Sequence, residues 1–239
     1  MARTVLVTGG SNGIGRAIAA RFAAAGERVV ITGRDPDKLK AAAAELGVDG
    51  VICDGTVPSQ VAAMAGELGP AVDVLVNNAG GNTDFDAEEA DDLHAVAAAW
   101  RANLESNLMT AVLTTQAVAD LMPPGGSVIS VGSIGAERSS GSYGAAKAAL
   151  AAWNLTASTE LGPRGVTANV ISAGYIEGTD FFRGRLASAR RDALVAATHD
   201  KRPGQMADIA ETAFFLASPG ARHITAQVIH VNGGAFATR

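Results

Sequence analysis

Short apolar runs alternate along this chain with longer stretches in which alanine and leucine recur among charged residues. The runs are Thr4 to Thr8, Arg28 to Thr32, Val51 to Cys53, Val72 to Val76, Ser127 to Val131, Val166 to Ile171 and Gln227 to Val231. They are apolar on both faces rather than alternating, the pattern of strands covered on either side by helices. The intervening stretches are long enough for a helix each, and this rhythm predicts βαβ units around a parallel sheet. Gly, Asn, Ser or Asp follows the runs, so loops emerge at the carboxyl ends of the strands, where ligands bind in open α/β sheets. The reading is an α/β doubly wound parallel sheet of about seven strands with helices on both faces.

The first run leads into Thr8-Gly9-Gly10-Ser11-Asn12-Gly13-Ile14-Gly15, and a helical pattern follows over Arg16 to Ala25. A glycine-rich turn that opens a helix suits a pyrophosphate, because backbone N–H groups and the helix dipole face the anion. Gly9 can make the tight turn, Gly13 lets backbone approach the diphosphate, and Gly15 permits close packing of helix on strand. Placed between a first strand and a first helix, the turn predicts a Rossmann-type dinucleotide site that includes Gly9, Ser11, Asn12, Gly13, Ile14 and Gly15.

Composition narrows the function classes. The 239 residues are 48% hydrophobic with no compositional break, so a single domain over 1–239 is expected. A net charge of -5 argues against a nucleic-acid surface, and no apolar stretch reaches the roughly 20 residues that span a bilayer. The opening MARTVLVTGG lacks the pattern of a secretory signal, so the expected location is the cytoplasm. Cys53 is the single cysteine, and His94, His199, His223 and His230 show no metal-ligand spacing with it, so no metal is expected.

Tyr143 and Lys147 lie four apart in an Ala-rich helical stretch, which puts their side chains on one face. A free tyrosine titrates near 10. A neighbouring ammonium favours the phenolate, so the pair can exchange a proton with a substrate. Ser133 follows an apolar strand at the end where sites form, and its hydroxyl can donate to an oxygen that gains negative charge. At the end of the second strand, Gly33 leaves uncharged the position where an acidic residue would bind a ribose 2′-hydroxyl. Arg34 beside it can fork onto a phosphate, unless Asp35 pairs with it instead.

Together Thr8, Gly9, Gly13 and Gly15, Asn77-Asn78-Ala79-Gly80, Ser133, Tyr143-x-x-x-Lys147 and the terminal His230 to Gly234 resemble the short-chain dehydrogenase/reductase family over essentially the whole chain. The resemblance implies that Tyr143 donates a proton to a carbonyl oxygen, that Lys147 lowers its pKa and holds the nicotinamide ribose, and that Ser133 steadies the substrate. It implies Asn107 as the asparagine of a water relay to the lysine, with Asn103 the competing choice, and Ser130 as the reserve for Ser133. Asp54 and Gly55 resemble an adenine contact, Asp54 having a plain turn as its alternative, and Asn78, Ala79 and Gly80 would line the adenosine side. Gly174 and Ile176 belong to a segment that meets the nicotinamide carboxamide, in which Ala173 stands where proline is usual. Arg34 resembles the arginine of NADP-preferring members. The terminal strand implies a homotetramer or homodimer.

The expected function is therefore NADPH-dependent reduction of a small-molecule ketone to an alcohol, with a 3-oxoacyl or polyketide-type substrate implied by similarity to 3-oxoacyl carrier-protein reductases. NAD-dependent oxidation of a sugar or steroid alcohol and a non-catalytic dinucleotide-binding regulator are the alternatives. Residues 181–201 would form a substrate lid whose Arg183, Arg185, Arg190 and Arg191 either attract an anionic substrate or form a solvated helix face. The acidic stretch Asp84 to Asp92 reads as a solvated helix start.

Overall fold

The computed structural model of the chain describes residues 2–85, 92–138 and 141–238. Its strands are β1 (Thr4–Val7), β2 (Arg28–Gly33), β3 (Asp49–Ile52), β4 (Val74–Asn77), β5 (Ser127–Ser133), β6 (Thr167–Ala173) and β7 (Val228–Val231). Helices α1 (Gly13–Ala24), α2 (Pro36–Leu46) and α3 (Pro58–Glu67) connect the first four strands. Then come α4 (Leu93–Leu104), a π turn (Glu105–Met109), α5 (Thr110–Val118), α6 (Gly141–Leu161), α7 (Ser188–Ala196) and α8 (Met206–Leu216). The strands form one parallel sheet in the order β3-β2-β1-β4-β5-β6-β7. The chain order reverses between β1 and β4, and at such a switch point the loops part to leave a crevice at the carboxyl ends.

Alternation along the strands explains why both faces are apolar. Val5 and Val7 face α1 and α8, packing with Ile18, Phe22, Ile209 and Leu216. Leu6 points the other way, with Leu75 and Val128, into a second layer that holds Met64, Val118 and Leu161. Local signals set the helix ends: the Asp35 carboxylate caps α2 ahead of Pro36, and Gly47 ends that helix at φ 65°.

Three sequence expectations change. The third strand runs over Asp49–Ile52 at the sheet edge, where Ile52 is 58% exposed, because it has a neighbour on one side only. Strands β5 and β6 continue past their apolar runs, with Gly132 opposite Ser172 and Ser133 opposite Ala173, since each lies between two paired strands. The acidic stretch is not one solvated helix start. Asp92 does cap α4, accepting from Ala95 N at 2.7 Å, but Asp84 turns inward to the start of α6. Residues 86–91 of that stretch lie outside the described residues.

Candidate active site

Above the switch point a cleft of about 730 Å³ opens between the turn after β1, the loop after β4, the end of β5, α6 and the segment that follows β6. The glycine turn forms its floor. Gly9 adopts φ +64°, where a Cβ would come within 3.0 Å of Ala79 Cα. Gly15 admits no side chain, because a Cβ there would lie 2.4 Å from both Asn78 Nδ2 and Gly9 O. Gly13 differs: at φ +55° nothing lies within 4 Å of a would-be Cβ, so its backbone faces open space at the start of α1. That open, positively polarised helix start is where a pyrophosphate fits. Asn12 caps α1 through its Oδ1, 2.7 Å from Gly13 N, and its Nδ2 donates to Asp180 Oδ2 at 2.6 Å.

Thr8 and Asn78 lock the two strands that flank the crevice. Thr8 Oγ1 accepts from Asn78 N and Ala79 N, each at 3.0 Å. Asn78 Nδ2 donates to the carbonyls of Thr8 and Gly9 at 3.0 and 3.1 Å. At Gly80, φ is +146° and a Cβ would collide with Asn107 Oδ1 at 2.5 Å. The Asn107 carboxamide is spent on this loop: Oδ1 accepts from Gly81 N at 3.1 Å and Nδ2 donates to Gly81 O at 2.9 Å. Asn107 therefore stands behind the cleft wall, in the π turn, rather than in the lining. A π turn inserts one residue into a helix and is frequent at functional sites.

Ser133, Tyr143 and Lys147 meet in the cleft. Tyr143 and Lys147 project from one face of α6, with Lys147 Nζ 5.9 Å from the tyrosine ring centroid. Both are buried. Lys147 Nζ donates to Val131 O on β5 at 2.8 Å. Burial in a medium of low dielectric pushes Tyr143 up to about 12, with the Ser133 hydroxyl drawing it back, and pulls Lys147 down to about 8. In this state desolvation outweighs the lowering of the phenol that the neighbouring ammonium was expected to produce. Ser133 ends β5 and accepts from Gly135 N at 3.1 Å. Ser130, the reserve, is fully buried within the sheet, away from the lining.

Gly174 and Ile176 also line the cleft. A Cβ on Gly174 would lie 2.7 Å from Asn232 Cβ, which explains that glycine. Ala173 continues β6 in register with Ser133 and Val231, so the absent proline leaves an extended strand in its place. Ser11, Gly15, Arg34, Asp54 and Gly55 lie outside the cleft lining. Arg34 follows β2, and Asp54 and Gly55 follow β3, at the end of the sheet beyond the glycine turn. Asp35 does not pair with Arg34; it caps α2 and lies 3.7 Å from Lys38. Asp54 Oδ1 holds its own turn, accepting from Thr56 N and Oγ1, with the positive charge of Arg34 acting on it as a weaker influence.

The four arginines of the segment expected to form a lid divide. Arg185 Nη1 donates to Phe85 O at 2.7 Å, and Arg191 is paired with Glu177, so these two hold the segment together rather than waiting for an anion. Arg183 and Arg190 line the cleft. Sequence reasoning did not single out Asp84, Asn103 and Ser142 as a unit. Asp84 Oδ1 accepts from Asn103 Nδ2 at 2.8 Å and from Ser142 Oγ at 2.6 Å, one residue before Tyr143. No spacing signal joins these positions, because three separate elements supply them.

A protein family described as enoyl-(acyl carrier protein) reductase matches residues 9–235. A Mycobacterium tuberculosis protein carrying only the general description of an oxidoreductase is 36% identical over 233 residues, with 98% of each chain covered. The 3-oxoacyl-(acyl-carrier-protein) reductase of Escherichia coli is 34% identical over 245 residues, covering 98% of this chain and 97% of its own. Among solved structures, a blue fluorescent protein from a metagenomic library, crystallised with NADPH, superimposes with a TM-score of 0.85 at 34% identity, 98% of each chain being covered. Full-length matches at this identity, on a sheet with this strand order and a cleft that joins the glycine turn to serine, tyrosine and lysine, identify the chain as a member of the short-chain dehydrogenase/reductase family of NAD(P)-dependent oxidoreductases.

Proposed function

We propose that the protein reduces a ketone to an alcohol with NADPH, and that Tyr143 is the proton donor. The observation that carries this reading is the buried Tyr143 hydroxyl beside Ser133 and Lys147 in the cleft that the glycine turn floors. With its pKa near 12 the phenol is protonated at neutral pH, the state that reduction requires of an acid. NADPH, when bound, supplies the hydride. Gly9, Asn12, Gly13 and Ile14 would hold its diphosphate, Asn78 to Gly80 its adenosine side, Lys147 its nicotinamide ribose, and Gly174 and Ile176 its carboxamide.

As the Tyr143 hydroxyl gives its proton to the carbonyl oxygen, the Lys147 ammonium opposes the charge left on the phenol. The Ser133 hydroxyl donates to the same carbonyl oxygen and fixes its position. Asn107 keeps the loop at Gly80 and Gly81 in place, which sets the wall opposite α6. Arg34 gives the preference for the phosphorylated dinucleotide: among the described residues no carboxylate lies within ion-pair distance of it, and Asp35 is occupied elsewhere. A 3-oxoacyl or polyketide-type ketone is the substrate class we favour, in keeping with the Escherichia coli relative. The molecule would work as a homotetramer or homodimer in the cytoplasm.

Absorbance loss of NADPH and of NADH across a panel of 3-oxoacyl thioesters, cyclic ketones and sugars tests this reading. We expect turnover with NADPH at least roughly tenfold more efficient than with NADH, narrowed by Arg34→Ala, since a charge-assisted bond contributes at least that factor. Equal use of both dinucleotides would contradict the role of Arg34, and alcohol oxidation with NAD alone would contradict the reductase.

A further inference from the structure

We propose that this site selects a flat ring ketone, aryl or fused-ring, over an open acyl chain; the inference rests on the reductase reading above and, of the two substrate classes named there, takes the polyketide-type ring ketone against the open 3-oxoacyl chain. Both tyrosines of the chain and three of its seven phenylalanines converge on the cleft. Phe181 lies 5.4 Å from Tyr143 between ring centroids, 4.9 Å from Phe182 and 5.8 Å from Phe85. Phe182 in turn lies 6.1 Å from Tyr175. Core packing does not account for the cluster, since Phe22 is the one aromatic among the largest fully buried side chains of the described residues.

The rings meet edge to face or tilted, at interplanar angles between 49° and 88°, and all five residues line the cleft. A planar guest can stack on such a wall, whereas a saturated chain gains only the area it buries. Position matters as much as chemistry. Phe181 stands against the ring of the proton donor, so the atoms bonded to the carbonyl carbon lie beside Phe181 when the oxygen reaches the Tyr143 hydroxyl. A ketone within or attached to a ring puts its π system there.

The wall is also fixed in place. Phe85 is tied to the lid through its carbonyl, which accepts from Arg185, and to the catalytic helix through Asp84, whose carboxylate accepts from Ser142. Segments after β4 and after β6 are thereby held as one surface, and a surface already ordered loses little freedom when a rigid guest binds.

The test compares α-tetralone with a linear methyl ketone of the same carbon count, in NADPH turnover and in ligand-observed NMR binding to the protein with NADP. We expect kcat/KM for α-tetralone to exceed that for the linear ketone by roughly tenfold or more, and the ratio to collapse toward one in Phe181→Ala and Phe181→Leu. The leucine variant keeps the wall apolar and removes the π face with less loss of volume than the alanine variant. Saturable binding of α-tetralone that is lost in both variants, without turnover, would support the aromatic wall and count against the reductase. Turnover with no ring preference, or with variants that affect both ketones alike, would uphold the reductase and overturn this proposal. Neither binding nor turnover of α-tetralone would overturn it as well.

Discussion

Burial moves the two titrating side chains of the site in opposite directions, because each is driven toward its neutral form: Tyr143 up to about 12 and Lys147 down to about 8. Lys147 is a base whose pKa in the folded chain lies below its ordinary 10.5, so it carries its charge below about 8 and has lost it above. The tyrosine stays protonated throughout that range. If the ammonium opposes the charge left on Tyr143, kcat/KM for NADPH, which reports the free enzyme, should be level at neutral pH and fall above about 8 by up to tenfold per pH unit. A profile with no fall between about 7 and 9 would contradict that role. These residues were legible in the sequence because four-residue spacing on a helix and a serine after a strand are local signals. Gly15 was legible too, its reason being the 2.4 Å approach of Gly9 O and Asn78 Nδ2. The carbonyl of Val131 that receives the lysine, and the carboxylate of Asp84, were not, since backbone acceptors and long-range partners leave no pattern in the chain.

Among the elements, α6 carries Tyr143, the proposed proton donor, and its first turn is held from outside. Asn103 on α4 and Ser142 on α6 are buried donors that share the Asp84 carboxylate. Asp84→Ala leaves both without that acceptor, at a cost of about 2 kcal/mol in urea unfolding, and should lower kcat while the Kd for NADPH stays within about twofold. Asp84→Asn, which keeps an acceptor oxygen, should lose less. Unchanged stability and unchanged kcat in the alanine variant would show that α6 holds its own position. The strand and helix order was readable from apolar runs, yet two element properties were hidden. The exposed edge of β3 depends on which strand lies beside it, and the π turn at Asn107 departs from the helical period without a glycine or proline to mark it.

At the scale of the molecule, α4 displays Leu93, Val96 and Trp100 on one face, 85%, 40% and 45% exposed, and α6 adds Leu155 at 56%. An apolar stripe at this spacing on a water-facing helix suits contact with a second copy, in line with the proposed homotetramer or homodimer. Sedimentation velocity should give a multiple of the chain mass, and Trp100→Glu should shift the protein toward the single chain; a monomeric wild type would contradict assembly. The whole-molecule architecture was the most legible level, because a parallel sheet buried on both faces writes itself into every strand. The arrangement of the rings that line the cleft was the least, because it joins Phe85, Tyr143, Tyr175, Phe181 and Phe182 from distant segments. The central claim, that this cleft reduces a ketone with Tyr143 as the acid, is tested most directly by measuring substrate-dependent NADPH oxidation and NADPH affinity together in the wild type and in Tyr143→Phe. We predict loss of turnover by a factor of at least about 10² with NADPH affinity retained; turnover that survives the substitution would contradict the claim.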